Sequence, residues 1–104
     1  MSDVSVRFAE SAVTDLEAIK EWYADQGVPD VGDRILGGVF ERVERLQEHP
    51  DMGRVVPDFG ESFLRELIYP PFRIVYHRGS KLVHVIRVWR SERLLVLPNS
   101  SFEE

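Results

Sequence analysis

Apolar and polar positions alternate at the start of the chain. Val4, Val6 and Phe8 are separated by Ser5 and Arg7, the period-two pattern of a half-buried strand. The period then changes. Ala12, Leu16, Ile19, Trp22 and Tyr23 recur at three and four, which predicts one buried stripe of a helix over residues 11–24. Asp15, Glu17 and Glu21 lie off that stripe. Gly27 is the expected stop, since glycine accepts the left-handed conformation that commonly ends a helix. Pro29 opens a second helix, where its missing N–H is no loss. Val31, Ile35, Leu36, Val39, Val43 and Leu46 mark its core-facing stripe to about residue 48. Two glycines in mid-helix, Gly37 and Gly38, each cost about 1 kcal/mol against alanine. Close approach of the two helices at that point is the expected compensation. Pro50 ends the helix by disfavouring the α conformation at His49.

Residues 51–61 mix glycine, proline and charge, and read as a loop. Three strands follow, over residues 63–69, 72–77 and 82–89, rich in β-branched and aromatic side chains. Pro70-Pro71 forces the first turn, and Gly79-Ser80 is the expected two-residue loop of the second. With that loop, Tyr76 sits opposite Val83. One face then carries Phe72, Ile74, Tyr76, Val83, Val85, Arg87 and Trp89. The other carries Arg73, Val75, His77, Leu82, His84, Ile86, Val88 and Arg90, because opposed residues share a face. The second face is apolar in the middle and edged with cations, which predicts a partly covered surface. The fold class expected is α+β: an N-terminal strand and an antiparallel helical hairpin packed on a small antiparallel sheet, with the first strand an added edge.

Length places all 104 residues in one domain, with residues 97–104, which contain the chain-breaking Pro98, expected to form a flexible tail. There is no cysteine, hence no disulfide framework, thiolate metal site or thiol nucleophile. No stretch approaches the roughly 20 apolar residues of a membrane span, and the N-terminus lacks the pattern of a signal peptide. The expected location is the cytoplasm. The net charge of −5 conceals an asymmetry. Residues 1–61 hold 6 Lys/Arg and 14 Asp/Glu, a balance of −8, and residues 62–104 hold 7 and 4, a balance of +3. A basic sheet joined to acidic helices suits an acidic partner surface. Overall acidity speaks against general nucleic-acid binding.

The chain has no phosphate-cradling glycine loop, no HExxH and no nucleophile elbow. No cofactor or metal is expected. His77 and His84 share a face near the hairpin tip and are candidates for a two-His metal or acid–base site, with no carboxylate or third ligand beside them in the pattern. Arg65, Arg73, Arg87, Arg90 and Arg93 lie on or just after strands. They are the candidate target-binding or phosphate-binding residues, because the guanidinium fork suits carboxylate and phosphate and stays charged.

The segments RFAESAVTDLEAI, LQEHPDMGR, FRIVYH and VIRVWRSER, in that order and spacing, resemble the RelE/ParE superfamily of bacterial type II toxin–antitoxin toxins. The resemblance runs from about residue 6 to residue 93. It implies a cytoplasmic toxin held by a cognate antitoxin encoded nearby, which covers the sheet and part of the helical hairpin. It implies one of two mechanisms. RelE-like members cut mRNA in the ribosome with basic residues on the sheet and, in many, a C-terminal tyrosine. ParE-like members are not nucleases and act on DNA gyrase. Arg73 matches a phosphate-contacting arginine of the nucleases, and Arg90 and Arg93 fall in their basic C-terminal segment. Glu66, Leu67 and Ile68 stand where nuclease members carry lysines, and Leu97 stands near the position of their tyrosine. The ParE-like reading is therefore favoured, with no catalytic residue assigned. A ribosome-dependent endoribonuclease and a non-toxic binding module of the same fold are the alternatives.

Overall fold

The computed structural model describes residues 4–91. Its elements are β1 (Ser5–Phe8), α1 (Glu10–Asp25), α2 (Pro29–Glu44) with a single 3-10 turn at Arg45–Gln47, β2 (Arg54–Val55), β3 (Leu64–Tyr69), β4 (Phe72–Arg78) and β5 (Leu82–Arg90). The strands form one sheet in the order β1-β5-β4-β3-β2. β1 runs parallel to β5, and the other neighbours are antiparallel. The helical hairpin lies on one sheet face, the expected α+β arrangement. The residues beyond 91, including Arg93, the apolar run 94–97 and the tail 97–104, lie outside the described residues.

The two helical stripes meet the sheet as their spacing predicts, except that Trp22 of the first stripe is left 52% exposed. Ala12 and Leu16 from α1, Val39 and Val43 from α2, and Leu46 beyond it share one core with Leu67, Phe72, Ile74, Tyr76, Val83, Val85 and Val88. Gly27 ends α1 with φ of +81°. The N–H of Val28 bonds to the Tyr23 carbonyl at 2.9 Å and that of Gly27 to the Ala24 carbonyl at 3.0 Å, the paired bonds of a Schellman cap. α2 stops four residues short of the expected end. Its last turn tightens at Arg45–Gln47, which keeps Leu46 fully buried.

Three expectations need correction. The mid-helix glycines do not mark the helix–helix contact. A Cβ on Gly37 would meet nothing within 4 Å, whereas one on Gly38 would collide with the Tyr69 ring of β3. The close approach of the helices is at Gly32, where a Cβ would stand 3.1 Å from the Cβ of Tyr23. The stretch read as loop contains β2, which pairs Arg54 with Glu66 and Val55 with Arg65. Last, the β4–β5 hairpin closes with Arg78 opposite Val83 and Tyr76 opposite Val85, and the register then shifts so that Val75 faces Arg87. Ile86 is the extra residue of a β-bulge. Because side chains alternate with period two, that insertion exchanges the faces beyond it. Val88 turns to the helices and Trp89 to the opposite side, the reverse of the expected assignment. On that opposite side Val56, Leu64 and Val75 form a second small core with Phe59, Ile86 and Trp89 packed against it.

Candidate partner-binding surface

β1 ends level with Val85, so the upper half of β5 would present a bare edge. α1 takes over there. The Ala9 N–H bonds to the Val85 carbonyl at 2.8 Å, the Ser11 hydroxyl to the Ile86 carbonyl at 2.6 Å, and the Val88 N–H to Asp15 Oδ2 at 2.9 Å. The same carboxylate holds Arg87 in a fork, Nε to Oδ2 at 2.8 Å and Nη2 to Oδ1 at 2.9 Å. A helix side chain thus does the work of a neighbouring strand. Fixed from below, the Arg87 guanidinium lies 4.1 Å from the centroid of the Trp89 ring.

This seam opens into a groove of about 360 Å³ between α1 and the end of β5, lined by Ile19, Trp22, Tyr23, Phe72, Val88, Trp89 and the charged Asp15, Arg87 and Arg90. Trp22 is 52% exposed on its lip and meets the Tyr23 ring edge-on, with centroids 4.9 Å apart. Arg90 is half-buried, its guanidinium 5.8 Å from the Phe72 ring centroid. Apolar walls, two guanidinium groups and one carboxylate suit an apolar anchor with an acidic neighbour.

The opposite sheet face is organised by a buried acid. Glu66 is 1% exposed. Its carboxylate accepts from Arg73 Nε at 2.7 Å and from Arg54 Nε at 2.7 Å. Arg73, 8% exposed, also reaches Asp58 at 3.3 Å. A buried carboxylate requires such partners, because desolvation of an unpaired charge is prohibitive. The network ties the 56–60 segment to the sheet. Arg65 is likewise engaged, donating to the Ser62 carbonyl at 3.0 Å and the Gly53 carbonyl at 2.9 Å.

The predicted arginines therefore divide. Arg87 and Arg90 come together at the groove. Arg73 and Arg65 stand apart from it and spend their charge within the fold, so Arg73 is not the presented cation that its strand position suggested. Arg93 lies outside the described residues. His77 and His84 are directly opposed across β4 and β5. His77 is exposed, with its ring 5.2 Å from that of Phe63, and His84 is half-buried. Among the described residues no cluster of three or more His, Cys, Asp or Glu residues is arranged to hold a metal. No described helix is long and apolar enough to cross a membrane.

Asp15, Glu66 and Tyr76 escaped the sequence reading. Tyr76 is fully buried, donates to the Pro50 carbonyl at 2.8 Å and accepts from the Gly53 N–H at 3.0 Å. Burial pushes its phenol above the ordinary value of 10.0, against the lowering effect of the Gly53 N–H. The one available signal was Glu66, an acid between Leu64 and Ile68 in a strand that faces an arginine-bearing strand. Asp15 gives none, since its partner lies 72 residues away.

The family described as "ParE toxin of type II toxin-antitoxin system, parDE" matches residues 6–95. The protein named Toxin RelE2 from Caulobacter vibrioides is 33% identical over 84 residues, covering 80% of this chain and 90% of that protein. A chain from the chromosomal ParDE system of P. aeruginosa superposes with a TM-score of 0.72 at 24% identity, over 86% of this chain and 97% of that one. A chain from the toxin–antitoxin complex RelBE2 of Mycobacterium tuberculosis does so with a TM-score of 0.59 at 22% identity, over 85% and 98%. At these identities the two structural likenesses are of fold.

Proposed function

Because the chain belongs to the ParE toxin family of type II toxin–antitoxin systems, we propose that it arrests growth by binding a protein target such as DNA gyrase, and that a cognate antitoxin encoded nearby neutralises it in the cytoplasm. The observation that carries this reading is the internal use of the sheet's cations. Cleavage of RNA needs a base for the 2′-hydroxyl, an acid for the leaving oxygen and cations for the developing charge. Arg73 is bound to Glu66 and Asp58, Arg65 to backbone carbonyls, and among the described residues no carboxylate is paired with either histidine. A phosphate approaching that face meets neutralised charge. The groove beside α1 offers what a protein partner wants: an exposed tryptophan, an apolar floor and arginines at the rim. The antitoxin is proposed to fill this groove with an apolar anchor.

Induced expression in a bacterial host, followed by assays of gyrase supercoiling and of mRNA cleavage, tests the reading. Growth arrest with loss of supercoiling and intact mRNA is expected. Ribosome-dependent cleavage with normal supercoiling would establish the nuclease instead. No arrest would leave a binding module. Co-expression with the neighbouring small gene should relieve arrest and co-purify the two chains.

A further inference from the structure

The hairpin tip carries a feature that partner binding at the groove leaves unused. His77 on β4 and His84 on β5 are directly opposed, so both side chains leave the same face, with Cβ atoms about 5 Å apart. That face is the one turned away from the helices, since Tyr76 and Val85, the next opposed pair, sit in the helix-side core. His77 is exposed and His84 half-buried, so both rings reach solvent on one side. Among the described residues neither imidazole has a hydrogen-bond or ion-pair partner. Their nitrogen lone pairs are not consumed by the fold. The Phe63 ring, 5.2 Å from that of His77 and tilted by 48°, restricts the sweep of that side chain.

We propose that His77 and His84 form a two-imidazole chelate for a borderline divalent transition-metal cation of the copper, nickel or zinc type. Neutral imidazole prefers these ions over magnesium or calcium, and affinity among them is highest for copper(II). A metal–nitrogen bond of about 2 Å on each side spans the gap between two rings rooted about 5 Å apart. The strand pairing fixes the points from which both side chains leave, so only side-chain torsions need ordering on binding. The remaining coordination positions belong to water, because among the described residues no third protein ligand is arranged nearby. The site is therefore an open one. Arg7, paired with His84 on the other side, places a cation on the same row. It weakens the site by repulsion, and the effect is screened by salt.

Copper(II), then nickel(II), titrated into the purified chain with every affinity tag removed tests this. The readouts are calorimetry and paramagnetic broadening of backbone amide signals. One ion per chain is expected, with broadening centred on residues 77 and 84. His77→Gln and His84→Gln should each lower affinity by roughly tenfold or more, as a lost ligand exceeds the tenfold or greater effect of an outer partner. His49→Gln, just beyond the 3-10 turn that follows α2, should leave it unchanged. Arg7→Ser should tighten binding at low salt. Circular dichroism of each variant separates loss of a ligand from loss of fold. Binding that survives the double histidine variant, broadening centred on His49, an affinity unmoved by Arg7→Ser, or no saturable binding at millimolar metal would each overturn the proposal.

Discussion

Tyr76 carries its hydroxyl into the core and finds two partners there, the Pro50 carbonyl and the Gly53 N–H. Both belong to the segment that leaves the 3-10 turn and enters β2, so one phenol fixes the path between helix and sheet. Gly53 makes room for it: an added Cβ would stand 2.6 Å from the Tyr76 oxygen. Tyr76→Phe should destabilise the protein by about 1–3 kcal/mol, since it strands a buried acceptor and donor. The pH dependence has a definite sign. Burial favours the neutral phenol, so its folded pKa lies above the unfolded value of 10.0. The stabilisation is complete below the unfolded pKa and is lost as pH rises through and beyond it. Thermal midpoints followed from about pH 8 to about pH 11 should fall more steeply in the parent chain than in Tyr76→Phe. Equal slopes would mean that another group governs alkaline unfolding. None of this was legible in the sequence, where Tyr76 is one more aromatic residue in a strand. What singles it out is a loop whose approach no local pattern encodes.

At the scale of elements, periodicity was informative and register was not. The three-and-four spacing of α1 and α2 and the alternation along β1 follow from each element burying one face, whereas the central strand β4 is buried on both faces from Phe72 to Tyr76 and reads as a nearly continuous β-branched and aromatic run. The bulge at Ile86 leaves no such trace, because it is set by how β4 meets β5 and by the seat of α1 on the β5 edge. β2 is two residues long, too short to show alternation. The parallel pairing of β1 depends on the crossover through both helices rather than on its own four residues. The glycines of α2 illustrate the same division. Composition flagged Gly37 and Gly38 as costly, and only the sheet says why one is needed. Gly37→Ala should stabilise the protein by about 0.5–1 kcal/mol, the helix-propensity gain with nothing in the way. Gly38→Ala should destabilise by about 1–3 kcal/mol, because the Tyr69 ring must leave its place against α2 and its contact with Arg42. Chemical denaturation of both variants checks the pair. A stabilising Gly38→Ala would mean that Tyr69 yields without loss.

At the scale of the whole molecule the charge asymmetry becomes concrete. Acidic helices and a basic sheet are stitched together, Asp15 to Arg87 across the groove, while Glu66 and Asp58 neutralise Arg73 on the far face. Strand position alone made Arg73 and Arg90 equivalent candidates, and their surroundings make them different tests. Removing Arg73 leaves the buried Glu66 carboxylate with Arg54 as its remaining partner, which should destabilise the fold by about 3 kcal/mol. Any loss of toxicity in Arg73→Ala should therefore track a lowered unfolding midpoint. Replacing Arg73 by Met together with Glu66 by Leu removes both buried charges, and should recover much of the stability and with it the toxicity. Arg90→Ala lies at the rim of the groove, outside that network. It should cost less stability than Arg73→Ala, since it takes no partner from the buried Glu66 carboxylate, and yet weaken partner binding, by about 1.5–3 kcal/mol if one charged hydrogen bond is lost. Arg90→Lys should rescue poorly if the contact is bidentate. Growth arrest, antitoxin affinity and unfolding midpoint measured on the same set decide the matter. A stable, fully folded Arg73→Ala that has lost toxicity while Arg90→Ala keeps it would relocate the functional surface to the face over Glu66. The nuclease reading would then advance, and His77 and His84 would become its first candidates for proton transfer.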